Sequence, residues 1–166
     1  MKKRIGFAMA VFTLILLNGC VWDPELYQFE YEKLKGQIAS VELIHYENDN
    51  PEIIKDASEV MPFDFNKEEV IETLDANKID DFAIDLSEMR FLINWKSADA
   101  PVGICIKITC ANSEFIIISW TLIHDDGYCF VEIFNSQGDL IKHIGWVENR
   151  KDYVALVNKY FEYKIK

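Results

Sequence analysis

The sequence predicts an α+β fold, one antiparallel sheet of about five to seven strands with two amphipathic helices packed on it. Three observations carry this. Residues 102–146 break into four strand-like runs separated by turn residues. Residues 76–89 and 150–162 each carry an apolar stripe at helical spacing. Shorter stretches before residue 75 alternate apolar and polar residues, as half-buried strands do.

In chain order, Tyr27, Phe29 and Tyr31 alternate with Gln28 and Glu30, which predicts a short strand with an aromatic face. Glu32–Lys35 reads as a helical turn closed by Gly36. Gln37–Tyr46 alternates again, with Val41 and Leu43 on one face and Ile44 and Tyr46 on the other. Asn48-Asp49-Asn50-Pro51 is turn chemistry, followed by a loop to Val60. Met61–Phe65 is extended around its proline. Glu69–Leu74 is ambiguous between helix and strand, and strand is the better reading because Asp75 suits a fresh N-cap. Ile79, Phe82, Ala83, Leu86 and Met89 then line one side of a helix, with Asp80, Asp81, Asp85 and Glu88 on the other. Phe91–Trp95 is a strand, and 97–101 a loop.

The four-strand meander follows. Asn112-Ser113 turns the first pair and Asp126-Gly127 the second, the latter being the strongest short hairpin signal in the chain. Ser136-Gln137-Gly138 suits a three-residue loop with glycine in the left-handed conformation. Asn149 caps the last helix, with Asp152 three residues on, and Tyr153, Leu156, Val157, Tyr160 and Phe161 form its buried stripe.

Ahead of this domain, Lys2-Lys3-Arg4 precedes an apolar run from Ile5 to Leu17 and then Asn18-Gly19-Cys20. Basic flank plus apolar core is the pattern of a secretory signal. The run falls short of the roughly 20 apolar residues that a spanning helix needs. Leu17-Asn18-Gly19-Cys20 resembles the lipobox of bacterial lipoproteins. The resemblance implies cleavage before Cys20, diacylglyceryl on its thiol, and attachment to the outer face of the cytoplasmic membrane, or to the outer membrane where the host has one. It divides the chain into a signal peptide (1–19), a short tether (20–26) and one domain (27–166). Two acyl chains hold a protein stably where one holds it marginally. The mature domain is similar to small uncharacterised lipoproteins, a likeness that implies no activity.

Composition narrows the partners. The chain carries 17 basic and 28 acidic residues, net −11. Three of the basic residues and none of the acidic ones precede Cys20, which leaves 14 basic against 28 acidic, or −14, in the rest. Such a chain lacks a basic stripe for phosphates, which argues against nucleic acid, and anionic headgroups repel it, so the lipid alone would hold it to a membrane. A protein partner with a basic surface fits the charge.

Cys105, Cys110 and Cys129 remain after Cys20, an odd number for disulfide pairing. Regular pairing through the turns sets Cys105 opposite Trp120 and His124 opposite Cys129. Cys105 and Cys129 then share a face about 13 Å apart at about 3.3 Å per residue, beyond disulfide reach. Cys110 points the other way. Three free thiols packed as small hydrophobes are expected. The same pairing sets His143 opposite Val131 and gathers His124, Cys129 and His143 on one face as a weak metal candidate, with the outer strands about 9.5 Å apart and no fourth ligand. Packing or edge histidines are the default reading of these side chains.

Phosphate-binding and nucleophile-elbow motifs are absent from the sequence. Ser119 and Thr121 read as cross-strand packing residues, and no cofactor motif is present. The leading expectation is therefore a non-catalytic, lipid-tethered interaction module. Two alternatives stand beside it: an acidic inhibitor or immunity-type protein against a basic secreted toxin or hydrolase, and a small cell-envelope hydrolase working through carboxylates.

Overall fold

The computed structural model describes residues 26–47, 62–93, 103–121, 128–147 and 150–165. The leader with Cys20, the Asn48–Pro51 turn, Trp95, the 97–101 loop, His124, Asp126-Gly127 and Asn149 lie outside the described residues.

Among the described residues eight antiparallel strands form one sheet: β1 (Leu26–Tyr27), β2 (Ile38–Tyr46), β3 (Glu68–Thr73), β4 (Phe91–Ile93), β5 (Gly103–Cys110), β6 (Phe115–Thr121), β7 (Tyr128–Phe134) and β8 (Leu140–Val147). Their spatial order is β1-β4-β8-β7-β6-β5-β2-β3. The predicted meander β5–β8 is the centre, with β2 and β3 added on one side and β4 and β1 on the other. Among the described residues three helices accompany it: α1 (Tyr31–Leu34), α2 (Ile79–Glu88) and α3 (Arg150–Tyr160). Among the described residues no helix is long and apolar enough to cross a membrane.

The α+β prediction holds, with the helical stripes where periodicity put them. Phe82, Ala83, Leu86 and Met89 of the α2 stripe are buried, as are Tyr153, Leu156, Val157, Tyr160 and Phe161. They meet Val41, Leu43, Ile106, Ile108, Ile116, Ile118 and Val131 from the sheet. Tyr153 ties α3 to β5 by donating its hydroxyl to the Ile104 carbonyl at 2.7 Å. Since β3 and β4 sit near opposite edges, α2 carries the chain across this face between them.

Three local expectations are corrected. The predicted strand Tyr27–Tyr31 shrinks to β1, and Tyr31 opens α1 instead. Phe29 turns inward and packs edge-on against Phe91 at 5.6 Å, while Gln28 donates to the Ser87 carbonyl; tertiary packing overrides the short alternation. Leu26, the last tether residue, already pairs with Leu92. Asp75 does not cap with its side chain. It lies 3.6 Å from Lys78 while Ala76–Lys78 wind as a 3-10 turn into α2.

The second sheet face is also covered. Phe63 crosses it, held by donation of its N–H to the Gly138 carbonyl (2.7 Å), and Tyr46 Oη accepts from the Asp64 N–H (3.0 Å). Phe63 lies against Tyr46, Phe115 and Phe134 at 4.7, 5.1 and 5.6 Å between ring centres. Ile44, Cys105 and Ile117 complete this smaller apolar layer.

Candidate functional site

The second face buries polar side chains, of which the sequence had singled out His143 but not Glu132 or Lys107. In the β6–β7–β8 ladders, Ile117 pairs with Glu132 and Glu132 with His143. Glu132 is fully buried, the His143 side chain is 6% exposed, and Oε1 lies 3.5 Å from Nδ1. The His143 ring also rests on Phe130, 5.9 Å between centres. Ser119, fully buried, sits between Cys105 and Phe130 in the neighbouring row, and its hydroxyl has no hydrogen-bond partner. Ser119 and Glu132 are diagonal neighbours across one strand pair, and no hydrogen bond joins them.

Lys107 forms a second polar centre on this face. Its ammonium meets both oxygens of Glu68 at 2.7 and 2.6 Å and stands 5.6, 5.2 and 5.4 Å from the rings of Phe63, Phe65 and Phe115. Three aromatic faces and a carboxylate satisfy a nearly buried cation. This pins the aromatic crossing to the sheet.

On the helix side, Asp85 of α2 accepts from Lys159 and from the Tyr160 hydroxyl (2.7 Å). Burial alone would raise the Asp85 pKa, but the bonds from Lys159 and Tyr160 outweigh it and hold the carboxyl below its ordinary value. Burial first, and then the bond to Asp85, push the Tyr160 hydroxyl up to about 12. A cleft beside this trio is lined by Glu88, Met89, Asp152 and Leu156.

Of the residues that sequence reasoning grouped, His124 lies outside the described residues, and Cys129 and His143 do not take the expected registers. Cys129 pairs with Trp120, and Tyr128 with Thr121. His143 pairs with Glu132 rather than Val131, because β7–β8 carries a register shift between Ile133 and Phe134, just after the turn. Cys105 pairs with Ser119 rather than Trp120. The β5–β6 loop is three residues long, with Ser113 left-handed at φ 68°, and this shifts the ladder by one. Among the described residues no group of three or more His, Cys, Asp or Glu side chains is placed to hold a metal. Cys105 lies in the aromatic layer and Cys110 against the helix-side core, on opposite faces of the sheet.

The sheet edges differ. β1 closes one end with two residues, and β3 the other with six. On β3, Glu69, Val70, Ile71 and Thr73 are exposed, Val70 at 48% and Ile71 at 39%. No protein-family model, curated protein or solved structure matches the chain.

Proposed function

We propose that the chain is an exported lipoprotein, anchored by lipid on Cys20, whose folded part is a non-catalytic interaction module. The observation that carries this reading is the leader: a basic flank, a short apolar core and Leu17-Asn18-Gly19-Cys20, followed within six residues by the first strand at Leu26. At about 3.3–3.6 Å per extended residue, that separation holds the domain within about 20 Å of the bilayer surface. The acidic balance of −14 from Cys20 onward favours a partner with a basic surface, which also suits the inhibitor alternative.

Mass spectrometry of protein isolated from its host tests the anchor. A mature N-terminus at Cys20 bearing diacylglyceryl is expected, and Cys20→Ala moves the protein out of the membrane fraction or leaves the leader uncleaved. A different N-terminus, or a bare Cys20 thiol, ends the reading.

A small cell-envelope hydrolase is favoured by one observation, the fully buried Glu132 carboxylate facing His143. Hydrolysis of envelope polymers or esters that is abolished by Glu132→Gln, with the fold intact, supports that reading over the first.

A further inference from the structure

Seven strand spacings separate β1, which receives the tether, from β3 at the other edge. At about 4.8 Å each, the far edge lies about 34 Å from the point of attachment. We propose that β3 is a docking strand that adds an extended, basic segment of a partner protein to the sheet. This inference rests on the tethered-module reading and names the surface and the partner chemistry.

Four features of the strand carry it. An edge strand presents a row of backbone donors and acceptors that a peptide can pair with, and among the described residues no strand occupies the outer side of β3. Its exposed side chains fall on two sides. Val70 pairs with Ile44 on the aromatic face, while Glu69 pairs with His45 and so points to the helix face. A groove on the helix side of the strand is lined by Ile71, Thr73, Tyr160 and Glu162. Among the described residues Glu69 and Glu162 make no ion pair, whereas the groove's lysines are engaged: Lys78 with Asp75, Lys159 with Asp85, and Lys164 with the carbonyls of Asn158 and Phe161.

The occupant follows from the charges. In a second copy paired antiparallel about Val70 and Ile71, Glu69 would face Glu72, and like charges directly opposite destabilise a strand pair. Charges and the register shift at β2–β3 thus guard this edge against self-association. A strand alternating Lys or Arg with Val, Ile or Thr reverses that penalty. Its cations meet Glu69 and Glu162 while its β-branched residues cover Val70.

Amide hydrogen exchange on the full chain, with and without a twelve-residue peptide alternating Lys and Val, tests the proposal. Exchange across Glu68–Thr73 is expected to slow at least about fivefold, the effect to fall as salt rises, and a Glu–Val peptide to give none. Glu69→Lys, an exposed substitution, is expected to reverse the preference between the two peptides. Equal protection by both peptides, protection elsewhere only, or concentration-dependent protection of β3 without peptide overturns the assignment. Photo-cross-linking in host membranes separates the two layers of inference. A partner adduct from a probe at Ile84 on α2, with none from a probe at Val70, removes the edge assignment and leaves the module reading standing. No adduct from either removes the module reading.

Discussion

Glu132 Oε1 and His143 Nδ1 face each other across the β7–β8 ladder at 3.5 Å, both side chains shut away from solvent in the centre of a sheet face. Such a pair specifies a register, since a one-residue slip would send either side chain to the opposite face.

Removing one member leaves the other buried without it. Glu132→Ala is expected to cost about 1–3 kcal/mol. Replacing both members with apolar residues, Glu132→Leu with His143→Phe, should cost less than the two single changes added together. Urea unfolding of the four proteins measures the coupling, and strict additivity would show that the two side chains do not interact.

The Asp85–Lys159–Tyr160 trio sets opposite pH limits. Asp85 has a depressed pKa in the folded state, so its contribution is present above the unfolded value of about 3.9 and is lost as pH falls through the folded value. Tyr160 is raised to about 12, so its contribution is complete below the unfolded value of about 10 and is lost as pH rises toward 12. Asp85→Asn should remove about 0.2–1 kcal/mol near neutrality, given the exposure of Lys159. It should also lower the Tyr160 midpoint, read as the difference in tyrosinate absorbance against Tyr160→Phe.

Two three-residue hairpin loops of the same form place different residues in the left-handed position. Ser113 is left-handed at φ 68° and Gly138 at φ 89°. Ser113→Gly is expected to stabilise by about 0.5–1 kcal/mol, because a side chain is costly in that conformation. At Gly138 an added Cβ would fall 2.5 Å from the Phe63 carbonyl oxygen. Gly138→Ala should therefore destabilise by about 1–3 kcal/mol and loosen the aromatic crossing. Thermal melts of the two variants should move in opposite directions.

Lys107→Met keeps the bulk but strands Glu68 beneath the rings. About 1–3 kcal/mol should be lost, and trypsin should cut after Lys67 faster as the Phe63–Lys67 segment lifts. Adding Glu68→Gln should recover part of the loss. Equal cleavage rates in the variant and the native protein would mean that the ammonium does not hold the crossing.

Thiol labelling checks the cysteines. Burial first, and then the nearby Glu114, push the Cys110 thiol up, and Cys105 is fully buried. Both should react slowly with iodoacetamide in the folded protein and at ordinary rates in urea. A disulfide between them contradicts the opposite faces they occupy.

Much of the fold was legible because it is locally encoded. Alternation along β2 gave the correct face to Val41, Leu43, Ile44 and Tyr46, and 3.6-residue spacing gave the buried sides of α2 and α3. Gly138 announced its turn because few other residues adopt positive φ. The polar centres were not legible. Glu132 and Lys107 look like ordinary outward residues of half-exposed strands, but the aromatic crossing from Phe63 to Phe65 covers Lys107 and Glu132 is shut in beside His143.

The sequence by itself determined the class of fold, the faces of its elements and the signal that points to Cys20, since these depend on residue type at short spacing. Tertiary structure decided which residues meet. Pairing register depends on loop length and bulges, and one unread residue in a turn or one bulge moves every partner beyond it. That is why Cys105 stands opposite Ser119 instead of Trp120, and His143 opposite Glu132 instead of Val131.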